Sequence, residues 1–358
     1  MKDELTRIFQ VATVFIGTIV GAGLASGKEI TEFFTQYGIK SFLGIIGCGI
    51  FYIIMGSIIS KISIDNNLNS YSDVINIISP NLIGKLTGFI TTLFLISSAS
   101  IILAGSGALI NQFFGIPRIL GSLIMLSIAI FFLLRGTDGL IEVNSFIVPG
   151  LICTITLVNF LYFCFCKDAV SINNIVSFPP QKKGILLSTI LYAGYNTLSA
   201  SGVIVPLSNT MKKSRTMVIG IICGAAGLTI LCFMINLLLT INQPYIYNYE
   251  IPLLFVANRF GNIIQAILLM IIWLEMFSTE ISDVYSISKT IEQSFKIDFK
   301  KAIFPVITVA LIISQFGFGN LINKLYPLFG LLSLIFISQC LYFFFKNTKC
   351  SNRKITDK

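Results

Sequence analysis

The sequence predicts an all-α polytopic membrane protein of ten spans, and three observations carry that prediction. Of 358 residues, 55% are apolar and only 11% are charged, with a mean hydropathy of +0.87. A soluble globular chain is nearer a quarter charged; so few charges cannot cover a water-soluble surface of this size, and lipid must cover it. The apolar residues also gather into ten runs close to the ~20 residues that a helix needs to cross a hydrocarbon core. Finally, the basic residues lie in the connections between runs, unevenly divided between the two sides.

The runs fall at roughly 8–36, 40–62, 85–113, 117–135 and 141–166, and then at 184–209, 215–240, 262–289, 301–319 and 324–346. The fourth and ninth are the shortest. Tyr249 to Phe260 is too short and polar to cross and is expected as a surface helix with Pro252 near its start. The amino terminus runs into the first apolar stretch without an Ala-x-Ala-like cleavage site, so it is expected as a retained first span.

With both termini in the cytoplasm, 17 of the 25 Lys and Arg residues fall inside, 7 fall outside, and Lys28 lies within span 1. That bias matches the positive-inside rule for an even number of spans and, with an Ile/Lys/Asn-rich composition, fits the expectation of a bacterial plasma membrane protein. Residues 1–358 then form a single transmembrane domain with halves of about 1–170 and 180–346, and 347–358 is a short basic cytoplasmic tail. The net charge of +9 forms no basic stripe interleaved with aromatics, so nucleic acid is not an expected partner. Eight cysteines without a single histidine offer no metal-ligand set and read as small buried hydrophobes.

Two spans differ from plain Ile/Leu/Phe helices. Span 1 carries Gly17, Gly21, Gly23 and Gly27, followed at once by Lys28, Glu29 and Glu32; span 6 carries Gly194, Tyr195, Asn196, Thr197, Ser199 and Gly202, with Pro206 close behind. Clustered glycines and short polar residues favour a local helix break, at ~1 kcal/mol of propensity per glycine. The competing reading is close helix packing, since Gly17-xxx-Gly21 and Gly23-xxx-Gly27 match the small-xxx-small pattern. Position favours the break: the two segments open the two five-span halves. Five is odd, so the halves insert oppositely, as in an inverted repeat whose broken helices meet at a midplane binding site.

The stretch from Phe15 to Ile30, with Phe33, Phe34 and Gly38 after it, resembles the start of the YkvI-like bacterial membrane proteins. That group is similar to the amino acid–polyamine–organocation superfamily, whose fold is the LeuT-type five-plus-five bundle with helices 1 and 6 broken. The resemblance implies that the carbonyls of Gly17 and Val20 bind a structural sodium, with Ser278 and Thr279 completing the site. It implies that the turn Gly21-Ala22-Gly23 receives an amino-acid carboxylate. Glu275 stands where sodium-dependent relatives carry a small residue, which leaves proton coupling open beside sodium.

Independently of any family, Glu275, Ser278, Thr279, Ser282 and Ser286 recur at spacings of three and four and form one polar stripe, with Glu280 and Asp283 beside it. A carboxylate near the bilayer centre costs at least ~2.5 kcal/mol and so marks an expected functional position, binding a cation or a proton. Lys28 and Glu32 are four apart and are expected to pair or to line an outer gate. Tyr195, Asn196, Thr197 and Ser199 are expected substrate contacts, whereas Ser97, Ser98 and Ser100 of span 3 are expected to bond their own helix.

The function these features predict is secondary active transport of an amino acid or related small organic solute by alternating access, driven by sodium or protons. There is no Walker motif to support ATP drive and no nucleophile–base pair to support an enzyme. No cofactor is expected beyond a sodium ion. A nutrient sensor that binds a solute without moving it would use the same pocket, and the oligomeric state is left open.

Overall fold

In the computed structural model, which describes residues 2–68, 71–79, 81–135, 140–166, 175 and 178–356, the apolar runs become long helices. Helix α1 spans Lys2–Ile19 and is followed by two short pieces, α2 (Ala22–Ala25) and α3 (Lys28–Phe33). Then come α4 (Lys40–Asp65), the short α5 (Tyr71–Ile78), α6 (Leu82–Phe114), α7 (Arg118–Arg135) and α8 (Leu140–Phe165). The second half holds α9 (Ile185–Met211), α10 (Ser214–Ile241), the short α11 (Pro252–Asn258), α12 (Asn262–Phe295), α13 (Phe299–Ser314) and α14 (Phe318–Thr356). Residues 167–170, at the end of the first expected half, and the side chains of the expected tail from Thr348 onward lie outside the described residues.

Seven helices among the described residues are long and apolar enough to cross a bilayer: α4, α6, α8, α9, α10, α12 and α14. Helix α7 is apolar but shorter, and the first span is divided into pieces. The polarity of the bundle is inverted relative to a soluble fold. Leu43, Ile50 and Ile54 of α4, Leu86 and Phe89 of α6, and Phe304 and Ile312 of α13 all face outward. Glu29, Glu275, Glu280 and Asp283 are buried instead. Lipid is the solvent that tolerates that surface, and continuous helices meet it because they bond most of their backbone internally.

Packing pairs recur across the two halves. Helix α1 packs on α10 while α9 packs on α4; α6 packs on α7 while α12 packs on α13; α6 also meets α14 while α12 meets α8. The segment expected as a surface helix forms α11, with Pro252 at its first position where the missing N–H is harmless. Pro252, Leu253, Leu254, Val256 and Ala257 are buried, however, so the helix is packed into the protein because its apolar residues find neighbouring helices.

The expected break in span 1 is present. The expected break in span 6 is not: α9 runs without interruption from Ile185 to Met211 through Gly194, Asn196, Ser199 and Pro206. Its polar groups are absorbed by the helix itself. Asn196 Nδ2 donates to the Tyr192 carbonyl at 3.1 Å, Ser201 Oγ to Leu198 at 2.6 Å and Ser208 Oγ to Ile204 at 2.6 Å. Gly194 serves a close crossing instead, because a Cβ there would lie 2.5 Å from Ser333 Oγ and 3.3 Å from the Gly330 carbonyl of α14. The small-residue packing motif, weighed for span 1, operates in span 6.

Candidate functional site

The site is built around the interruption after Ile19. Val20 and Gly21 leave the helix, with Gly21 in an extended conformation (φ −96°, ψ −170°), and its N–H turns back to the Ile19 carbonyl at 2.9 Å. The single turn α2 follows, and a second interruption comes at Gly27, whose φ of +79° is left-handed and suits glycine. Across the first interruption the carbonyls of Gly17 and Val20 and the N–H groups of Ala22 and Gly23 have no backbone partner among the described residues. All of this lies deep in the bundle: Val20, Ala22, Leu24, Ala25 and Ser26 are buried, and α2 packs against α6 and α12. Unpaired backbone at this depth is tolerated only where protein or a ligand can meet it.

Glu29 dominates this turn, and sequence reasoning did not place it in the site. It is 1% exposed, and its side chain folds back over Gly23 so closely that a Cβ on residue 23 would collide with its Oε1, Cγ and Cδ atoms. Tyr192 of α9 donates its hydroxyl to Glu29 Oε2 at 3.0 Å, and Tyr326 of α14 lies beside the same carboxyl group. Tyr326 stacks on the ring of Tyr195 at 4.2 Å between centroids, while Phe94 of α6 packs edge-on to Tyr195. An aromatic wall from three helices therefore faces the interrupted turn. The sequence signal for Glu29 was its place beside Lys28 and Glu32, but a helical face cannot show that the chain turns back at Gly27.

Of the expected substrate contacts, Tyr195 belongs to this wall. Asn196 is buried and donates to the Tyr52 hydroxyl at 3.1 Å, Thr197 is buried with its hydroxyl unpartnered among the described residues, and Ser199 is half-buried. Lys28 and Glu32 do pair, at 3.3 Å, and Glu32 also binds Lys182 at 3.3 Å and Gln36 at 2.9 Å. That network ties the end of span 1 to the segment leading into α9. On the same side, the Ser26 carbonyl accepts from Leu253 N of α11 at 3.0 Å, Gln112 of α6 bonds Ile251 at 3.0 and 3.1 Å, and Arg118 pairs with Glu250 at 3.2 Å. Helix α11 is thereby clamped over the site.

Helix α12 carries the remaining expected residues. Glu275 is 1% exposed and its Oε2 has no partner among the described residues. The Thr279 hydroxyl donates to the Glu275 carbonyl at 3.0 Å, which leaves its lone pairs available, and Ser278 is buried. Ser100 of α6 bonds its own helix as expected, at 2.7 Å to Ile96, whereas Ser98 bonds Asp283 across the α6–α12 contact. Among the described residues no group of three His, Cys, Asp or Glu side chains comes together to hold a metal ion.

No family model matches the chain. The fold matches the manganese transporter of Eremococcus coleocola with a TM-score of 0.68 at 15% identity, over 95% of this chain and 79% of that one. It matches MhsT in complex with L-phenylalanine with a TM-score of 0.65 at 15% identity, over 94% and 91% of the two chains. Two proteins that differ so much in their ligands share this helical arrangement, so the fold is common ground and the cargo is not. The relative that shows the family is the uncharacterized membrane protein YkvI of Bacillus subtilis, 32% identical over 341 residues, 95% of this chain and 97% of that one. With a LeuT-type fold and multiple apolar spans, the chain belongs to the YkvI family of multi-pass membrane proteins.

Proposed function

We propose that this protein is a secondary transporter that moves an amino acid or related small organic solute by alternating access, coupled to sodium or protons. The observation that carries the reading is the buried interruption of span 1 at Val20–Gly21, faced by Glu29 and by the aromatic wall of Tyr192, Tyr195 and Tyr326. The substrate would lie between Gly21-Ala22-Gly23 and α9, with Asn196, Thr197 and Ser199 along its flank. Because the Glu29 carboxyl group already occupies the side of Gly23, it favours the amino group of the substrate there and would repel a second carboxylate.

The coupling ion would be held by the carbonyls of Gly17 and Val20 with Ser278, Thr279 and Glu275. Ten spans in two inverted halves are supported by the reciprocal packing pairs, since exchanging the first five spans for the second five maps each pair onto the other. Both termini would be cytoplasmic, a reading supported by the bias of Lys and Arg toward that side. The Lys28–Glu32–Lys182 network and the clamped α11 would then close the outer side.

The test is uptake of a mixed pool of labelled amino acids into proteoliposomes, under imposed sodium and proton gradients separately. Accumulation above the external level under either gradient is expected. Saturable solute binding without accumulation under any gradient would replace transport with sensing.

A further inference from the structure

The buried carboxylates that the proposed transport site does not use are Glu280 and Asp283 of α12. Among the described residues, Glu280 is 0% exposed with neither oxygen partnered, and Asp283 is 8% exposed, lies beside Ser98 of α6 and has an unpartnered Oδ2. Three residues apart, they share one helix face. Among the described residues neither carboxylate has an ion-pair partner, and the one buried cation, the Lys28 ammonium, is held by Glu32 at 3.3 Å. Two adjacent dry carboxylates without a counter-charge are among the costliest arrangements a protein interior can hold, and they persist only where a cation or a proton neutralises them.

We propose that Glu280 and Asp283, beside Ser98, form a site for a monovalent cation, sodium or a proton, at the α6–α12 contact. Two carboxylates and a hydroxyl are hard oxygen ligands, and a transition metal would call for imidazole or thiolate, which the site lacks. The site goes beyond the proposed transport function, because cation binding there is measurable without any substrate.

The test uses the purified full-length protein, with equilibrium binding of radiolabelled sodium measured against choline at constant ionic strength and at several pH values. Trp273, the single tryptophan, gives a second readout: it stacks on Phe277 at 5.6 Å and precedes Glu280 by seven residues, about 10 Å along the same helix. The expected result is saturable sodium binding, or an acid-induced fluorescence transition if the cation is a proton. Glu280→Gln and Asp283→Asn should each weaken sodium binding about tenfold or more, or remove the acid transition. Glu280→Asp, which keeps the charge, should retain part of it, and Glu4→Gln at an exposed position of α1 should change nothing. Sodium binding or an acid transition preserved in both neutral variants overturns the site, as does a wild-type protein that shows neither. Failure of uptake in proteoliposomes would not touch this result, so the two proposals fall separately.

Discussion

Replacing Gly23 with alanine isolates the contact on which the candidate site turns. The added Cβ collides with Glu29 Oε1, Cγ and Cδ, so the whole carboxyl end must leave rather than adjust its tip. Leaving means losing the Tyr192 hydrogen bond at 3.0 Å and stranding a buried hydroxyl. An unmade buried hydrogen bond costs about 1–3 kcal/mol, whereas alanine returns only about 1 kcal/mol of helix propensity. The net loss is then up to about 2 kcal/mol, a measurable share of the 5–15 kcal/mol that typically holds a domain together. Denaturant unfolding in detergent, followed through Trp273, measures it. The decisive comparison is the same substitution in a Glu29→Ala background. There the collision is gone, and Gly23→Ala should be neutral or stabilising by up to about 1 kcal/mol. An equal loss in both backgrounds would refute the idea that residue 23 is glycine to admit Glu29.

Gly194→Ala should destabilise the α9–α14 crossing by about 1–3 kcal/mol, and Ser333→Ala should restore much of the loss by removing the atom the new Cβ meets; the readout is again denaturant unfolding. Glu32→Gln should loosen the closed side by unpairing Lys28 and Lys182, seen as faster labelling of Cys48 and Cys232 by a thiol reagent in a background lacking the other cysteines. Glu275→Gln should abolish the dependence of uptake on the driving ion while solute binding persists, and the Ser278→Ala Thr279→Ala double variant should raise the sodium concentration needed for half-maximal uptake by about tenfold or more.

Much of this protein can be read from its residues in order. Apolar runs long enough to cross a bilayer, and too few charges to cover a soluble surface, foretell the long helices and the buried carboxylates of α12. These are additive properties of local sequence: hydropathy sums along a run, and a carboxylate flanked by apolar residues has no route to water. The interruption at Val20–Gly21 was legible for the same reason, since glycines at 17, 21, 23 and 27 weaken the helix wherever it packs. The Lys28–Glu32 pair followed from a spacing of four.

The same local rule failed for span 6, where glycine and polar residues suggested a break and α9 is continuous. Glycine reports only that a side chain is missing; whether the chain bends or a neighbour moves in depends on what lies across from it. At Gly194 the neighbour is α14, more than a hundred residues later in the chain. Glu29 shows the converse. Its sequence position belongs to a charged helical turn, yet the left-handed step at Gly27 and the hydroxyl of Tyr192 hold it folded back onto Gly23. Composition and periodicity thus determined that this chain lives in a membrane and where its polar residues lie along each helix. Which of those residues face one another was decided only when helices from both halves packed, because a contact is a property of two surfaces and the sequence displays them one at a time.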